Sequence, residues 1–399
     1  MVATDIKNNT AKGFSYWDHR AVPCGYEIAF RIPLGLDPKK IRRQLEALSV
    51  ATGTIIELEF DYPLVVIRIV EKDFPQMIPL DLSDLRDDSL LIGYTRNGEA
   101  IYHPFNRSML MGGASGMGKT DLIRLIAFQL LLQGCVIKFI DMKTFSFFPF
   151  IGLPNVEIAT SLEDAEETLE DAVNEMDRRA DIIIKNRDRS LAKDFQKLAV
   201  IIDEAAEVAP SEYSDKKDKA IAQSCDKMCS HVARLGRELK TILLYTTQRP
   251  SHEVINGQVK ANVDTKIAFH TATAANSFII LDRPGAEKIG SDHPGRCIYS
   301  GPSGEFMLQV PYVGDDAAWE ILLAERLQHE PTPRKDIESS DRATLGIDAA
   351  ISGIERFAEP AKESIETVAG VGKRKDGRVA MVRKAEVVET LEEDWEEVT

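Results

Sequence analysis

The sequence predicts an α/β fold with a mostly parallel sheet, preceded by a small α+β domain and followed by a charged, disordered tail. Three observations carry this. From about residue 108 to 313, apolar β-branched runs alternate with helical segments, and such alternation implies crossovers that bury a parallel sheet on both faces. A glycine-rich loop separates the first of those strands from the first helix. Beyond residue 328 the periodic apolar pattern stops. With 399 residues the chain exceeds one typical domain. Four segments are expected: a flexible polar leader over 1–20, a small α+β domain over 21–95, the main domain over 96–328 and the tail over 329–399.

The elements follow in order. From Tyr26, YEIAFRI alternates as a strand does; Asp37 then supplies an N-cap with Pro38 at the first helical position, and Ile41, Leu45 and Leu48 share a helix face. The runs TIIELEF and LVVIRIV flank a turn at Asp61-Tyr62-Pro63, which completes a βαββ module. Asn97-Gly98 in LIGYTRNGEAIYHP is a two-residue hairpin signal. Next come strand SMLM, a helix from Lys119 to Gln133, strand VIKFID, a long helix from Leu162 towards Asn186 and strand LAVIID. A helix ending near Leu239, strands TILLYTT and TKIAF, and helix DDAAWEILLAERLQ complete the domain. The tail, with its basic block KRKDGRVAMVRK, has too little apolar area to offset the entropy of ordering, beyond short amphipathic helices.

Composition excludes several classes. Hydrophobic residues at 44% and charged residues at 28% fit a soluble globular chain, and no stretch approaches the roughly 20 apolar residues a membrane span needs. The N-terminus has no apolar core of a signal peptide, so a cytoplasmic location is expected. Five scattered cysteines read as reduced thiols. The net charge of −15 argues against a polyanionic partner. Seven acidic residues with no basic one lie between Glu386 and the C-terminus, however, so about half of that charge belongs to the tail.

The sharpest motif is Gly113-Ala114-Ser115-Gly116-Met117-Gly118-Lys119-Thr120, which fits GxxxxGK[ST] between a strand and a helix. Its backbone N–H groups wrap a phosphate, Lys119 reaches the β and γ phosphates of ATP, and the Thr120 hydroxyl ligates Mg²⁺. The strand LAVIID ends in Asp203-Glu204. There Asp203 is suited to hold Mg²⁺ and Glu204 to orient and deprotonate the attacking water, with a helix-capping role as the alternative. Gln248, just past TILLYTT, is either a γ-phosphate sensor or an ordinary turn residue. Basic side chains recur in two expected loops, Lys185, Arg187, Arg189 and Lys193 in one and Lys216, Lys217 and Lys219 in the other, as phosphate contacts or as solvated surface. Cys225, Cys229 and His231 have helical spacing, but without an evident fourth ligand they read as buried thiols rather than a metal site.

VARLGREL running into TILLYTTQRPSHEVINGQVKANVDTKIAF, then ILDRPGAEKI, with FIDMK and EMDRRADIIIKNRDRSLAKDF upstream, resembles the FtsK/SpoIIIE-type DNA translocases over roughly residues 25–313. The resemblance implies a RecA-like P-loop ATPase motor that assembles as a homo-hexameric ring and threads double-stranded DNA through a central pore. It implies that Lys119, Thr120, Asp203, Glu204 and Gln248 serve ATP hydrolysis. Arg237 matches an arginine suited to reach a neighbour's γ-phosphate, with Arg234 in reserve, and the two basic loops match segments facing the pore. The sequence is expected to depart from the family in its membrane helices and C-terminal winged helix, neither of which is evident in it, and KIGSDHPGRCIY replaces a glycine-rich passage. A motor of this kind resembles those encoded by plasmids, conjugative elements or phages, whose proteins the tail would bind if it is not merely a solubilising segment. The alternatives are a single-stranded DNA pump of the coupling-protein kind, and a nucleotide-switched DNA-binding assembly factor.

Overall fold

The computed structural model describes residues 13–33 and 37–327, together with three short tail strands, Val371–Arg374, Val379–Met381 and Trp395–Glu396, that form a small sheet. The rest of the tail, including the amphipathic helices and disorder expected there, lies outside the described residues, as does most of the expected leader. The chain divides into two units, one of residues up to 76 with 94–100, the other of residues 77–93 and those from 101 on.

In the first unit, β1 (Ser15–Val22), β2 (Gly25–Arg31), β3 (Ile55–Asp61) and β4 (Leu64–Val70) form an antiparallel sheet in the order β1-β2-β4-β3. Helix α1 (Pro38–Thr52) starts where the Asp37 side chain accepts the Lys39 N–H at 2.9 Å and stops at Gly53 in the left-handed region. Its Ile41 and Leu45 pack with Ile32 and Val65. A ladder of charge crosses the strands: Arg20 lies opposite Glu27, Glu27 opposite Arg68, and Arg68 opposite Glu57. Burial pushes the Glu27 carboxyl up, but hydrogen bonds from Arg68 and Arg20 outweigh it and hold the group below its ordinary value.

Two expectations for this region are corrected. The stretch expected as a leader over 1–20 contains most of β1, which makes the module ββαββ. Seven of its eight residues are exposed and the eighth is half-buried, so no apolar pattern announces it and pairing with β2 alone defines it. The hairpin at Asn97-Gly98 has a three-residue loop: Thr95 donates to the Glu99 carbonyl and Gly98 to that of Thr95, each at 2.9 Å. Gly98, at φ +82°, takes the left-handed position that closes such a loop.

The second unit carries a ten-stranded sheet. In chain order its elements are β5 (Ser89–Tyr94), β6 (Ala100–Pro104), β7 (Met109–Gly112), α2 (Lys119–Leu132), β8 (Val136–Ile140), β9 (Val156–Ala159), α3 (Leu162–Asn186) and β10 (Leu198–Ile202). Then follow α4 (Lys216–Leu235), β11 (Thr241–Thr247), α5 (Gly257–Asn262), β12 (Thr265–Phe269), α6 (Ala274–Leu281), β13 (Arg296–Gly301), β14 (Gly304–Gln309) and α7 (Asp316–Leu327). The order is β6-β5-β14-β13-β12-β7-β11-β10-β8-β9. The six strands from β12 to β9 run parallel, while β13 and β14 are antiparallel additions.

Alternate side chains of the central strands feed two apolar layers. Met109, Met111, Phe139, Ile201 and Leu244 face α2 and α7, and Leu110, Ile140, Ile202, Leu243 and Tyr245 face α3 and α4. The central strands thus carry apolar side chains on both faces, the pattern of a sheet covered on both sides, with Lys138 of β8 and Lys266 of β12 as charged exceptions. In the first layer Phe139 stacks on Phe147 with centroids 4.0 Å apart, and Phe150 and Trp319 extend the cluster. Phe139→Ala is expected to cost about 3–5 kcal/mol through the cavity it leaves, seen as a lower urea midpoint for the second unit with an unchanged denaturant slope.

Candidate nucleotide-binding site

Residues 113–120 cross from the C-terminal end of β7 to the N-terminus of α2, at the edge where ligands of parallel α/β sheets bind. The loop is fixed from both sides. Gly113 N–H donates to the Thr247 carbonyl at 3.2 Å and Ala114 N–H to the His270 carbonyl at 2.8 Å, which ties it to the strands flanking β7. Behind it Gly295 N–H donates to the Met117 carbonyl at 2.9 Å. Gly118, at φ +90°, has no room for a side chain, because a Cβ there would lie 2.7 Å from Gly295 N. The departing passage KIGSDHPGRCIY therefore supplies the brace under the loop. Gly116, at φ +76°, faces open space.

The cleft in front of the loop is walled by Ala114, Ser115, Gly116, Gly118, Lys119, Thr120, Asp121 and Gln248. Lys119 is 3% exposed, and its ammonium donates to the Asp203 carbonyl at 3.4 Å. Burial lowers its pKa, and Asp203 and Glu204 oppose that fall. Burial outweighs that attraction, and a phosphate beside the ammonium would favour its charged form further.

β10 delivers Asp203 and Glu204 to the same edge. The Glu204 carboxylate accepts the Thr247 hydroxyl at 2.6 Å and the Gln248 N–H at 2.8 Å, so the end of β11 orients it. Thr246 donates its hydroxyl to the Asp203 carbonyl. One oxygen of Asp203 accepts the Ser146 hydroxyl at 2.9 Å, and the other, Oδ1, is buried without a hydrogen-bond partner among the described residues. That orphan suits a hard cation, and with the Thr120 hydroxyl in the cleft wall the residues present fit Mg²⁺.

Asp121, Asp141, Ser146 and Thr247 join this region without having been singled out from the sequence. Asp141 had a legible signal: FID at the end of β8 repeats the pattern of IID at the end of β10. That those two strands are neighbours is a fact of topology.

The other candidates lie elsewhere. Arg237, exposed, sits in the turn Gly236–Leu239 ahead of β11. The cleft is at the other end of that seven-residue strand, about 20 Å away at roughly 3.3 Å per residue, so Arg237 cannot serve its own cleft. Arg234, also exposed, is in the last turn of α4. Lys185 ends α3, with Asp181 at 3.9 Å, Arg187 caps it, and Arg189 and Lys193 occupy a short turn ahead of β10, at the same far edge as Arg237. Lys216, Lys217 and Lys219 are corrected from a loop to the first turns of α4, where Asp215 caps the N–H groups of Lys217 and Asp218. They lie near the cleft edge, and Lys217 pairs with Glu163 at 2.8 Å. The 20-residue α4, about 30 Å long, separates the two basic segments. Cys225 and Cys229 are buried, burial pushing the Cys225 thiol up to about 12. Among the described residues no group of three or more His, Cys, Asp or Glu is placed to hold a metal ion.

This sheet, loop and carboxylate pair have the fold of a P-loop ATPase of the AAA type. Residues 109–270 match the family model described as "ATPase family associated with various cellular activities (AAA)". In sequence the chain is similar to the FtsK/SpoIIIE DNA translocases. It is 26% identical over 302 residues to DNA translocase SpoIIIE of Bacillus subtilis, covering 67% of this chain and 37% of that one. It is 26% identical over 296 residues to DNA translocase FtsK of Streptomyces coelicolor, covering 66% and 31%. The chain thus spans about a third of the length of these relatives. Among solved structures, the conjugation coupling protein TcpA of pCW3, with ATPgS, superposes with a TM-score of 0.60 at 22% identity, covering 81% of this chain and 95% of that one. The cytoplasmic domain of the type VII secretion ATPase EccC of Thermomonospora curvata gives 0.50 at 18% identity, covering 64% and 33%. These likenesses show the fold.

The glycine geometry makes a differential prediction. Gly118→Ala has to push the loop off Gly295 and is expected to weaken ATPγS binding at least about tenfold. Gly116→Ala meets only left-handed strain, about 1–2 kcal/mol, and is expected to retain measurable binding by titration calorimetry.

Proposed function

We propose that this chain is an ATP-driven translocase of double-stranded DNA that works in the cytoplasm as a ring of identical subunits, six by the family resemblance. The observation that carries this reading is the division of the ATPase machinery between the two edges of one sheet. Lys119, Asp203, Glu204 and Gln248 converge at the C-terminal edge, whereas Arg237 is exposed at the other. A site that uses all of them needs a second copy of the chain.

The loop N–H groups and the N-terminus of α2 hold the phosphates of ATP, and Lys119 shares the charge of the β and γ groups. Thr120 and Asp203 would hold Mg²⁺, which would supply positive charge beside the phosphate oxygens. Glu204 orients the attacking water and takes its proton, and Gln248 hydrogen-bonds the γ-phosphate or that water. Because Glu204 is hydrogen-bonded to Thr247 and to the Gln248 N–H, a shift of Gln248 on loss of the γ-phosphate moves the base as well. Arg237 of a neighbouring subunit stabilises the developing charge with its planar guanidinium. Lys185, Arg187, Arg189, Lys193, Lys216, Lys217 and Lys219 engage the DNA backbone, contacts that position without reading sequence. No helix among the described residues is long and apolar enough to cross a membrane. The five cysteines are free and buried, as a reducing compartment allows.

Steady-state ATP hydrolysis tests the substrate. Long duplex DNA is expected to stimulate turnover and Lys119→Ala to abolish it. Preference for single strands would redirect the reading to a coupling protein, and indifference to all DNA would remove translocation. Subunit mixing tests the ring. Arg237→Ala alone is expected to lose on the order of a thousandfold in kcat, yet Arg237→Ala mixed with Lys119→Ala should regain activity where an intact loop meets an intact arginine. No recovery at any ratio would show that Arg237 does not act across an interface.

A further inference from the structure

β8 and β10 pair in parallel with Ile140 opposite Ile202, so Asp141 and Asp203 leave the sheet side by side. Asp203 N–H donates to the Ile140 carbonyl at 3.1 Å, which locks the two strand ends together. Both side chains are buried, at 1% and 2% exposure. Ser146 links them: its N–H donates to Asp141 Oδ2 and its hydroxyl to Asp203 Oδ2, each at 2.9 Å. The serine is itself held, since Arg124 of α2 donates to its carbonyl at 2.7 Å and is anchored in turn by Asp316 at 2.8 Å.

Among the described residues the second oxygen of each carboxylate, Oδ1, is buried and makes no hydrogen bond, although the backbone N–H groups of Phe147 and Lys143 lie close enough to Asp141 to favour its charged form. Two carboxylates sharing one serine repel each other, and a buried acceptor without a donor is unfavourable, so the pair is built for something that supplies positive charge or a proton donor. Lys119 attracts Asp203 through space but gives neither Oδ1 a hydrogen bond, because its ammonium donates to the Asp203 carbonyl. Nor do two carboxylates make a free metal site, and no larger ligand group exists among the described residues. A cation that arrives with ligands of its own, phosphate oxygens and water, requires no more than these two. Mg²⁺ binds in this manner, keeping several waters and taking one or two carboxylates.

We propose that Asp141 is a second carboxylate on the cation side of the nucleotide site. Its Oδ1 accepts a hydrogen bond from a water of the hydrated divalent cation that enters with ATP, beside Asp203, and Ser146 sets the spacing of the two acids. Asp141 acts through that water, as a positioning residue. This inference rests on the reading of the P-loop cleft as the nucleotide site.

The test uses the full chain with ATPγS and Mn²⁺ as the probe, free Mn²⁺ being read by electron paramagnetic resonance. ATPγS affinity in EDTA is measured alongside. Asp141→Asn is expected to weaken Mn²⁺ in the nucleotide complex about tenfold to a hundredfold, the range for groups that orient metal ligands, while ATPγS affinity in EDTA stays within about twofold of the original. Unchanged Mn²⁺ affinity in Asp141→Asn, where Asp203→Asn loses it, would overturn the role of Asp141. Unchanged affinity in both would overturn the cation-side reading of Asp203 itself. If Asp141→Asn also loses ATPγS in EDTA, Ser146→Ala carries the test, because it keeps the N–H to Asp141 and removes only the bridge to Asp203. Weaker Mn²⁺ in that variant supports the pair, and unchanged Mn²⁺ overturns it.

Discussion

The second unit is organised around the need to satisfy a row of carboxylates at the C-terminal edge of a sheet that is otherwise apolar. Asp203 and Glu204 end a strand whose five residues are fully buried, so they enter a region with little solvent. Every neighbouring element answers that constraint. β11 turns Thr246, Thr247 and the Gln248 N–H toward them, α2 brings Lys119, and the segment after β8 brings Ser146. Buried acceptors left without donors are costly, so the positions of these elements are mutually dependent. A strand shift that suited packing alone would strand a charge.

The same network explains how a nucleotide can be felt at a distance. Glu204 is connected to β11, β11 begins at the turn that holds Arg237, and α4 joins the cleft edge to that turn along its 20 residues. Rigid strands and helices packed on both faces move as bodies rather than deform. A displacement at Gln248 therefore has a mechanical route to the opposite edge, where Arg237 and the segment from Lys185 to Lys193 are found. Arg179 fastens that edge internally, its guanidinium donating to the Leu239 carbonyl at 2.7 Å and to Glu175 at the same distance.

Legibility in the sequence followed burial and contiguity. The strands β7, β8, β10, β11 and β12 are readable because burial on both faces leaves mostly apolar runs, broken by Lys138 in β8 and Lys266 in β12. β1 was not, because an exposed strand at the edge of its four-stranded sheet has no apolar signature. The four-residue edge strand β9 escaped as well, as did the hairpin β13–β14, which lies inside the sheet as an antiparallel addition outside the strand-helix alternation. The lysines after Asp215 were read as a loop because charge dominates SDKKDK. The N-cap that makes them helical is nevertheless visible in Asp215 itself, which accepts from two N–H groups.

The sequence by itself determined the phosphate-binding loop, the two carboxylates after the buried strand and the alternation that makes the sheet parallel. Each is a local pattern whose chemistry depends on residues close together in the chain. Tertiary structure alone decided which carboxylates are neighbours, because the β8 and β10 ends meet only through strand order. It also decided that Gly295 braces Gly118 and that Arg237 faces away from its own cleft. Those relations depend on the path of the chain across the sheet, and spacing along a sequence carries no record of that path.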